Sequence, residues 1–406
     1  MFAFWRRLSR LLSREILILC GIIFLADVIA GLFIATFSLF AASEGASLTQ
    51  IGTINTLGGL VQLALSLPIG MLTDRIGRKW VFCGGSLLFL VSLLVLGGIG
   101  GIPMLFFGRI LFSIAGIAAF QVGATYLGDI TTPEQRTLAY GLLTTAMGLG
   151  FAVGPLMAGL IAEWSDLRTA YLSGAVVAVF SLVASIIFIR EVPKQPQTAF
   201  SKPKQSGQMW QLLRQPDLVV VTFGYMLINL TFAGAVSTFF PLYAEGLLIS
   251  QATIASMFAI RAIVSTLGRL PNSLISRKFG TWSVILGALI LNIVAMFGMA
   301  LSQNYNLLIV FLAIEGLAYG AYMVAGQTYV ADHTTADNRG TAMGIYATAA
   351  AGSGALAPLA LGLVANAWGI EQVFTVTAWL LVAGLIVALA GVLSLKRKQP
   401  KQQPNS

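Results

Sequence analysis

The sequence predicts an all-α membrane protein, with twelve transmembrane helices in two pseudo-symmetric six-helix halves. Three observations predict it. Of 406 residues, 57% are apolar and only 10% charged, whereas soluble domains carry about a quarter charged residues. Twelve apolar runs follow one another with short connections, and twelve spans of ~20 residues require ~240 positions, close to the apolar content of this chain. The second half of the chain also repeats the first at a shift of 203 residues.

The runs fall near 16–43, 49–72, 80–99, 102–128, 136–162, 168–189, 217–244, 251–275, 281–301, 306–330, 340–365 and 372–395. Glycine and polar positions interrupt them and blur their ends. The first starts behind Arg6, Arg7, Arg10 and Arg14. It is longer than a signal-peptide core and lacks a small-residue cleavage site, so it reads as a retained helix. The chain then divides into a cytoplasmic N-terminus (1–15), a first half (16–189), a cytoplasmic linker (190–216), a second half (217–395) and a cytoplasmic tail (396–406). Proline, glutamine, serine and lysine dominate the linker, which suits a flexible connection with a short interfacial helix at 209–214.

Charge placement sets the expected orientation. Of 24 Lys and Arg residues, 20 lie in the termini, the linker and the alternate loops that share their side. Arg168 alone lies on the other side, and Arg109, Arg261 and Arg269 fall inside spans. The positive-inside rule puts both termini in the cytoplasm. The net charge of +9 therefore reflects topology, and no nucleic-acid partner is expected. Cys20 and Cys83 lie at apolar runs as packing residues. His333 has no second His or Cys nearby, so no metal site is expected. A phosphate-binding G-x-x-x-x-G-K-[ST] loop is absent, which argues against an ATP-driven pump. No Ser/His/Asp constellation forms at a buried depth, and the chain does not read as an enzyme.

The repeat is specific. Residues 121–141 (QVGATYLGDITTPEQRTLAYG) align with 324–344 (VAGQTYVADHTTADNRGTAMG), and nine of 21 pairs are identical, including Tyr126/Tyr329, Asp129/Asp332 and Arg136/Arg339. Background composition gives roughly one or two. The same shift pairs Pro68 with Pro271, Gly77 with Gly280, and Pro155 with Pro358. Two halves of the same orientation pack about an axis along the membrane normal. That is a secondary-transporter arrangement, with the substrate site expected between the halves near the midplane.

Residues 70–79, GMLTDRIGRK, closely resemble the G-x-L-x-D-R-x-G-R-K signature of the major facilitator superfamily, in the 2–3 loop where that family carries it. The resemblance covers nearly the whole chain. The second half keeps only a decayed copy, SLISRKFG at 273–280, with Arg277 in place of Asp74. The resemblance implies a conformational latch of Gly70, Asp74, Arg75, Gly77, Arg78 and Asp129 that holds the outward-open state. Asp74 would meet the positive end of the eleventh helix near 338–340. Arg75 and Arg78 would pair with Asp129, and a solvated topogenic cluster is the competing reading.

In the fifth span, Gly150, Gly154, Pro155 and Gly159 resemble the G-x-x-x-G-P-x-x-x-G pattern of the family's proton-coupled exporters. Gly150 and Gly154 share one helix face, so a neighbouring helix can approach closely. Pro155 bends the span. A helix of this kind can seal against its neighbour from the other half. The eleventh span has Ala357 at the position of Gly154.

Intramembrane charges are costly and therefore candidates for function. Asp27 and Glu315 are the carboxylates inside the spans, one in each half, and Arg109 and Arg261 are their candidate partners. Either carboxylate can carry a proton, or form a static pair: Asp27 with Arg109, Glu315 with Arg261. Arg269 nears the cytoplasmic interface and can snorkel. Gln62, Gln121, Asn229, Asn292 and Gln327 can bind substrate or bond between helices. Phe37, Phe40, Phe239, Phe240 and Tyr243 either line an apolar cavity or pack. Trp164, Trp282 and Trp368 sit at span ends as interfacial anchors.

The expected activity is proton-coupled export of small hydrophobic or amphiphilic molecules, a drug or metabolite antiport by alternating access. It would be carried out by a monomer in a bacterial inner membrane, with protons, substrate and lipid as partners and the proton gradient as its energy source. The alternatives are an uptake symporter for a sugar or organic acid, and a non-transporting membrane receptor or scaffold.

Overall fold

The computed structural model describes residues 13–191, 205–335 and 338–398. The arginines at 6, 7 and 10, all three linker lysines, the last residues of the tail and the side chain of Asp74 lie outside the described residues. Among the described residues, twelve helices are long and apolar enough to cross a membrane. In chain order they are α1 Arg14–Ser43, α2 Leu48–Ile76, α3 Arg78–Gly98, α4 Ile102–Ile130, α5 Pro133–Trp164 and α6 Leu167–Phe188, followed by α7 Pro216–Gly246, α8 Gln251–Phe279, α9 Thr281–Leu301, α10 Tyr305–Asp332, α11 Arg339–Trp368 and α12 Ile370–Lys398. A short helix, Gln205–Leu213, precedes α7. It starts four residues earlier than the linker composition suggests. Its Leu212 is buried while Met209, Trp210 and Leu213 stay exposed. The outer helices also outrun their apolar runs, because Arg14 and Lys396 continue α1 and α12 as helix.

An even number of crossings puts both chain ends and the linker on one face, here the terminal face. Short polar connections cap the helices at the opposite face. Ser47 and Gln50 form a capping box at α2, Asp166 accepts from the Thr169 amide at 2.7 Å, and Ser250 accepts from Thr253. Each cap satisfies backbone donors that a helix start otherwise leaves free. Glu44 closes the same face of the first half. It accepts from Arg168 Nη2 at 2.7 Å and from the Gly101 amide at 2.8 Å. Arg168 holds the Glu44 carboxyl below the usual carboxylate range. The stabilisation is complete above the ordinary carboxylate pKa and is lost as pH falls through the lowered one. With Arg168 half exposed, it amounts to about 0.2–1 kcal/mol.

The repeat is visible in the packing. The most extensive pairings include α1 on α5 within the first half, and α2 on α11 and α5 on α8 across the halves. The 203-residue shift turns α5–α8 into α11–α2, so the two cross-half contacts are images of each other. At the terminal face a single glycine joins α2 to α3 and another joins α8 to α9. Gly77 has φ +98 and ψ 158, and its repeat mate Gly280 has φ +86 and ψ 150. This backbone region is open essentially to glycine alone, at a cost of order 1–3 kcal/mol for other residues. A Cβ at Gly77 would also run into the Glu191 carboxylate, which accepts from the Arg78 amide at 3.0 Å. Gly77→Ala is expected to lower the melting temperature of the purified protein clearly more than Gly280→Ala, which meets open space. Equal losses would show that the Glu191 contact adds nothing.

Candidate functional site

A cavity of about 870 Å³ lies between the halves, walled by α2, α4, α7, α10 and α11. Its opposite-face end is closed by helices in near-backbone contact. Gly52 lies under the Pro358 carbonyl, Gly59 against Ala355, and the Leu359 amide donates to Thr56 Oγ1 at 3.0 Å. Across α5 and α8, Gly159 meets Ala255 and Gly148 meets Thr266. Toward the terminal face the wall residue Leu67 is 73% exposed, so the cavity opens on that side. Gln62, Gln121 and Asn229 are in the wall. Gln121 is held by Ser66, whose hydroxyl donates to it at 2.7 Å, and Asn229 donates to the Tyr225 carbonyl at 3.0 Å. Asn292 is fully buried in α9, and Gln327 lies outside the cavity wall.

Two stretches of the wall are π-helical, Ile117–Gln121 in α4 and Thr231–Phe239 in α7. The wider turn loosens the backbone ladder, and hydroxyls take up the slack: Thr238 Oγ1 donates to the carbonyl five residues back, at Ala233, at 2.7 Å. Pro241, just beyond the segment, has no amide to continue a regular ladder. These widened turns present Gln121, Phe232, Ser237 and Thr238 to the cavity. Sequence reasoning missed them. The density of Ser, Thr and Gly before Pro241 was the available signal, but the 100° periodicity barely changes across one π turn.

The buried charges divide differently in the two halves. In the second, Arg261 grips Glu315 with two hydrogen bonds, Nε to Oε2 at 2.5 Å and Nη2 to Oε1 at 3.0 Å, with Glu315 0% exposed. Gly316 leaves room for the Arg261 chain. Phe232 and Tyr319 cover the guanidinium with ring centroids at 4.2 and 5.4 Å, and both rings face the cavity. In the first half Arg109 is in the cavity wall, with its guanidinium 5.0 Å from the Phe33 ring and 5.7 Å from the Phe37 ring. Its buried Nε has no hydrogen-bond partner among the described residues.

The Asp27–Arg109 pair considered from the sequence does not form. Phe33 and Phe37, beside Arg109, lie six and ten residues beyond Asp27, a displacement of ~9–15 Å along the helix. Asp27 instead packs on Gly150 of α5, buried and outside the cavity wall, with Oδ2 unpartnered. Arg269 is partly buried in α8, and its Nε has no partner among the described residues. The five aromatics left open above are resolved as packing: Phe37, Phe40, Phe239, Phe240 and Tyr243 are all buried in the core.

The glycines of α5 face a different partner from the one expected. Gly150 lies against the Phe24 carbonyl and Gly154 against the Val28 carbonyl and Leu32 amide, both on α1 of the same half. Gly148 and Gly159 make the cross-half contacts. Gly154 and Gly159 are five residues apart, about 500° of helical turn, which puts them on different faces. Pro155 meets Gly31 of α1. In the second half, Ala357 faces Gly234, the repeat mate of Gly31. The close approach there rests on one glycine instead of two.

At the terminal face, Arg78 Nε donates to Asp129 Oδ2, an ion pair between α3 and the end of α4. Gly70 is next to the Gln121 side chain, and Arg75 is exposed. His333 stacks on Tyr329 at 3.8 Å. Among the described residues no His, Cys, Asp and Glu cluster could hold a metal.

Comparison with known proteins decides the family. The sequence profile of the Major Facilitator Superfamily matches residues 19–302 and 223–406. The chain belongs to this superfamily. It is 28% identical over 351 residues to the multidrug resistance protein MdtG of Dickeya zeae, covering 84% of this chain and 83% of that one. It is 26% identical over 285 residues to multidrug resistance protein 2 of Bacillus subtilis, covering 68% and 71%. The quinolone resistance protein NorA of Staphylococcus aureus is 27% identical over 221 residues, 52% of this chain and 56% of that one. Among solved structures, the nucleoside transporter NupG superposes with a TM-score of 0.77 at 16% identity, over 95% of this chain and 100% of that chain. An inward-facing, unoccupied bacterial homolog of the lysosomal transporter Spinster gives 0.79 at 16%, over 96% and 98%. These two establish the fold. As a major facilitator protein the chain is an integral multi-pass membrane transporter of small molecules, and its relatives above are multidrug resistance proteins.

Proposed function

We propose that this transporter exports small amphiphilic molecules in exchange for protons. The halves would rock about the central cavity in a bacterial inner membrane with both termini in the cytoplasm. The supporting observation is the cavity itself. It is closed at the opposite face by glycine-mediated helix contacts, open at the terminal face, and separated by two aromatic rings from a buried Arg261–Glu315 pair. Charge distribution supports the orientation, because the basic residues gather at the terminal face. On that reading the open side of the cavity is cytoplasmic, where an exporter loads.

The Gly77 turn and the Arg78–Asp129 pair serve the conformational change as a hinge-side latch. Asp27 and Glu315 are the proton-carrying candidates. The multidrug resistance relatives favour export over uptake.

The test is flux in inverted membrane vesicles from a strain lacking its own exporters, with neutral and anionic naphthyl amphiphiles as probes. An inside-acidic gradient is expected to drive probe uptake, and substrate addition to alkalinise the lumen. Co-movement of proton and probe in the same direction would establish a symporter instead. No flux with any probe, in vesicles or proteoliposomes, would favour a non-transporting receptor.

A further inference from the structure

The repeat puts an arginine at matching depth in each half, but only one half supplies its counter-charge. In the second half Arg261 reaches from α8 toward α10, into room left by Gly316, and Glu315 neutralises it. In the first half Arg109 reaches from α4 toward α2, into room left by Gly58, the repeat mate of Arg261. The repeat mate of Glu315 is Phe112, which stacks on Phe33 at 3.8 Å and offers no charge. The covers differ in the same sense. Phe232 and Tyr319 screen Arg261 from the cavity, whereas their repeat mates are Ile29 and Gly116. Arg109 therefore faces the cavity, and it is the one charged side chain in the wall among the described residues.

We propose that Arg109 anchors an anionic group of the transported molecule, so that the cavity selects amphiphiles bearing a carboxylate, sulfonate or phosphate over lipophilic cations. An arginine presents a planar fork of donors that matches such oxyanions. The Phe33 and Phe37 rings on one side of the guanidinium steer its donors toward Gly58 and the cavity. The remaining wall suits the apolar body of the ligand, with Leu63, Phe232 and alanines of α11 alongside the amides of Gln62 and Asn229. This deepens the exporter reading and rests on it for transport, though not for binding.

The test uses three probes of one shape: 2-naphthylacetate, 2-naphthylethanol and 2-naphthylethylammonium. Their binding to the full chain is measured by fluorescence in phosphatidylcholine nanodiscs. The acetate is expected to bind at least ~10-fold tighter than the alcohol, as a charge-assisted hydrogen bond allows, and the ammonium weakest. Arg109→Gln is expected to erase this order, and Arg109→Lys to keep part of it. Should Arg109→Gln not fold, Gln62→Glu leaves the arginine in place. It adds a carboxylate one turn along α2 from Gly58 and is expected to shift preference toward the ammonium. Ammonium binding as tight as acetate in the unaltered protein, or an acetate preference that survives Arg109→Gln, overturns the proposal. Acetate-selective binding without proton-driven flux overturns the exporter reading and leaves this one standing.

Discussion

Glu315→Gln is expected to destabilise the protein by about 3–5 kcal/mol, the usual cost of removing one partner from a buried ion pair. The substitution keeps the shape of the side chain but strips its charge, and Arg261, 3% exposed, has no other carboxylate bonded to it among the described residues. Phe232 and Tyr319 cannot replace a full negative charge, since a cation–π contact contributes only ~0.5–2 kcal/mol. The paired replacement Arg261→Met with Glu315→Leu is expected to recover most of the loss, because it removes both desolvated charges together. If Glu315 carries the proton, the double variant will be stable and unable to move substrate against its gradient. Denaturation in detergent and pH-driven uptake into inverted vesicles read the two quantities separately. A double variant that still pumps would confine Glu315 to a structural role.

Asp27→Asn is expected to do the reverse: leave stability nearly unchanged while cutting proton-driven uptake at least ~10-fold. Asn has the shape of the protonated acid, so contact with Gly150 is kept. Since Asp27 forms no pair with Arg109, no buried cation is abandoned, and replacing Arg109 as well is expected to rescue nothing. Downhill exchange of substrate is expected to survive, since it needs no proton cycle. The discriminating measurement is thermal stability beside uphill flux on the same preparation. A stable variant with full uphill flux would remove Asp27 from the mechanism and leave Glu315 as the coupling carboxylate. A strongly destabilised variant would mean that Asp27 holds α1 and α5 together.

Span number, repeat and loop signature were legible in the sequence because each is written in local pattern. An apolar run of about 20 residues spans a bilayer in whatever fold surrounds it. Gly77 and Gly280 mark backbone turns that only glycine makes cheaply, and their positions show in a linear alignment. Glu315 and Arg261 were visible as a candidate pair because both had to be buried and both were charged.

The tertiary structure alone decided which buried groups meet. Asp27 and Arg109 read as partners in the chain, yet the offset of α1 against α4 separates them by more than a turn of helix. Gly150 and Gly154 announced a close helix contact, but only packing revealed that the partner is α1 and not the other half. The π turns at Ile117–Gln121 and Thr231–Phe239 set which side chains enter the cavity, and they depend on hydroxyl and carbonyl partners that no periodicity encodes. The physical reason is the same in each case. Local sequence determines which residues must leave water and how the backbone turns. Axial shift and rotation between helices are set jointly by all their neighbours, and a displacement of a few ångströms is enough to make or break an ion pair.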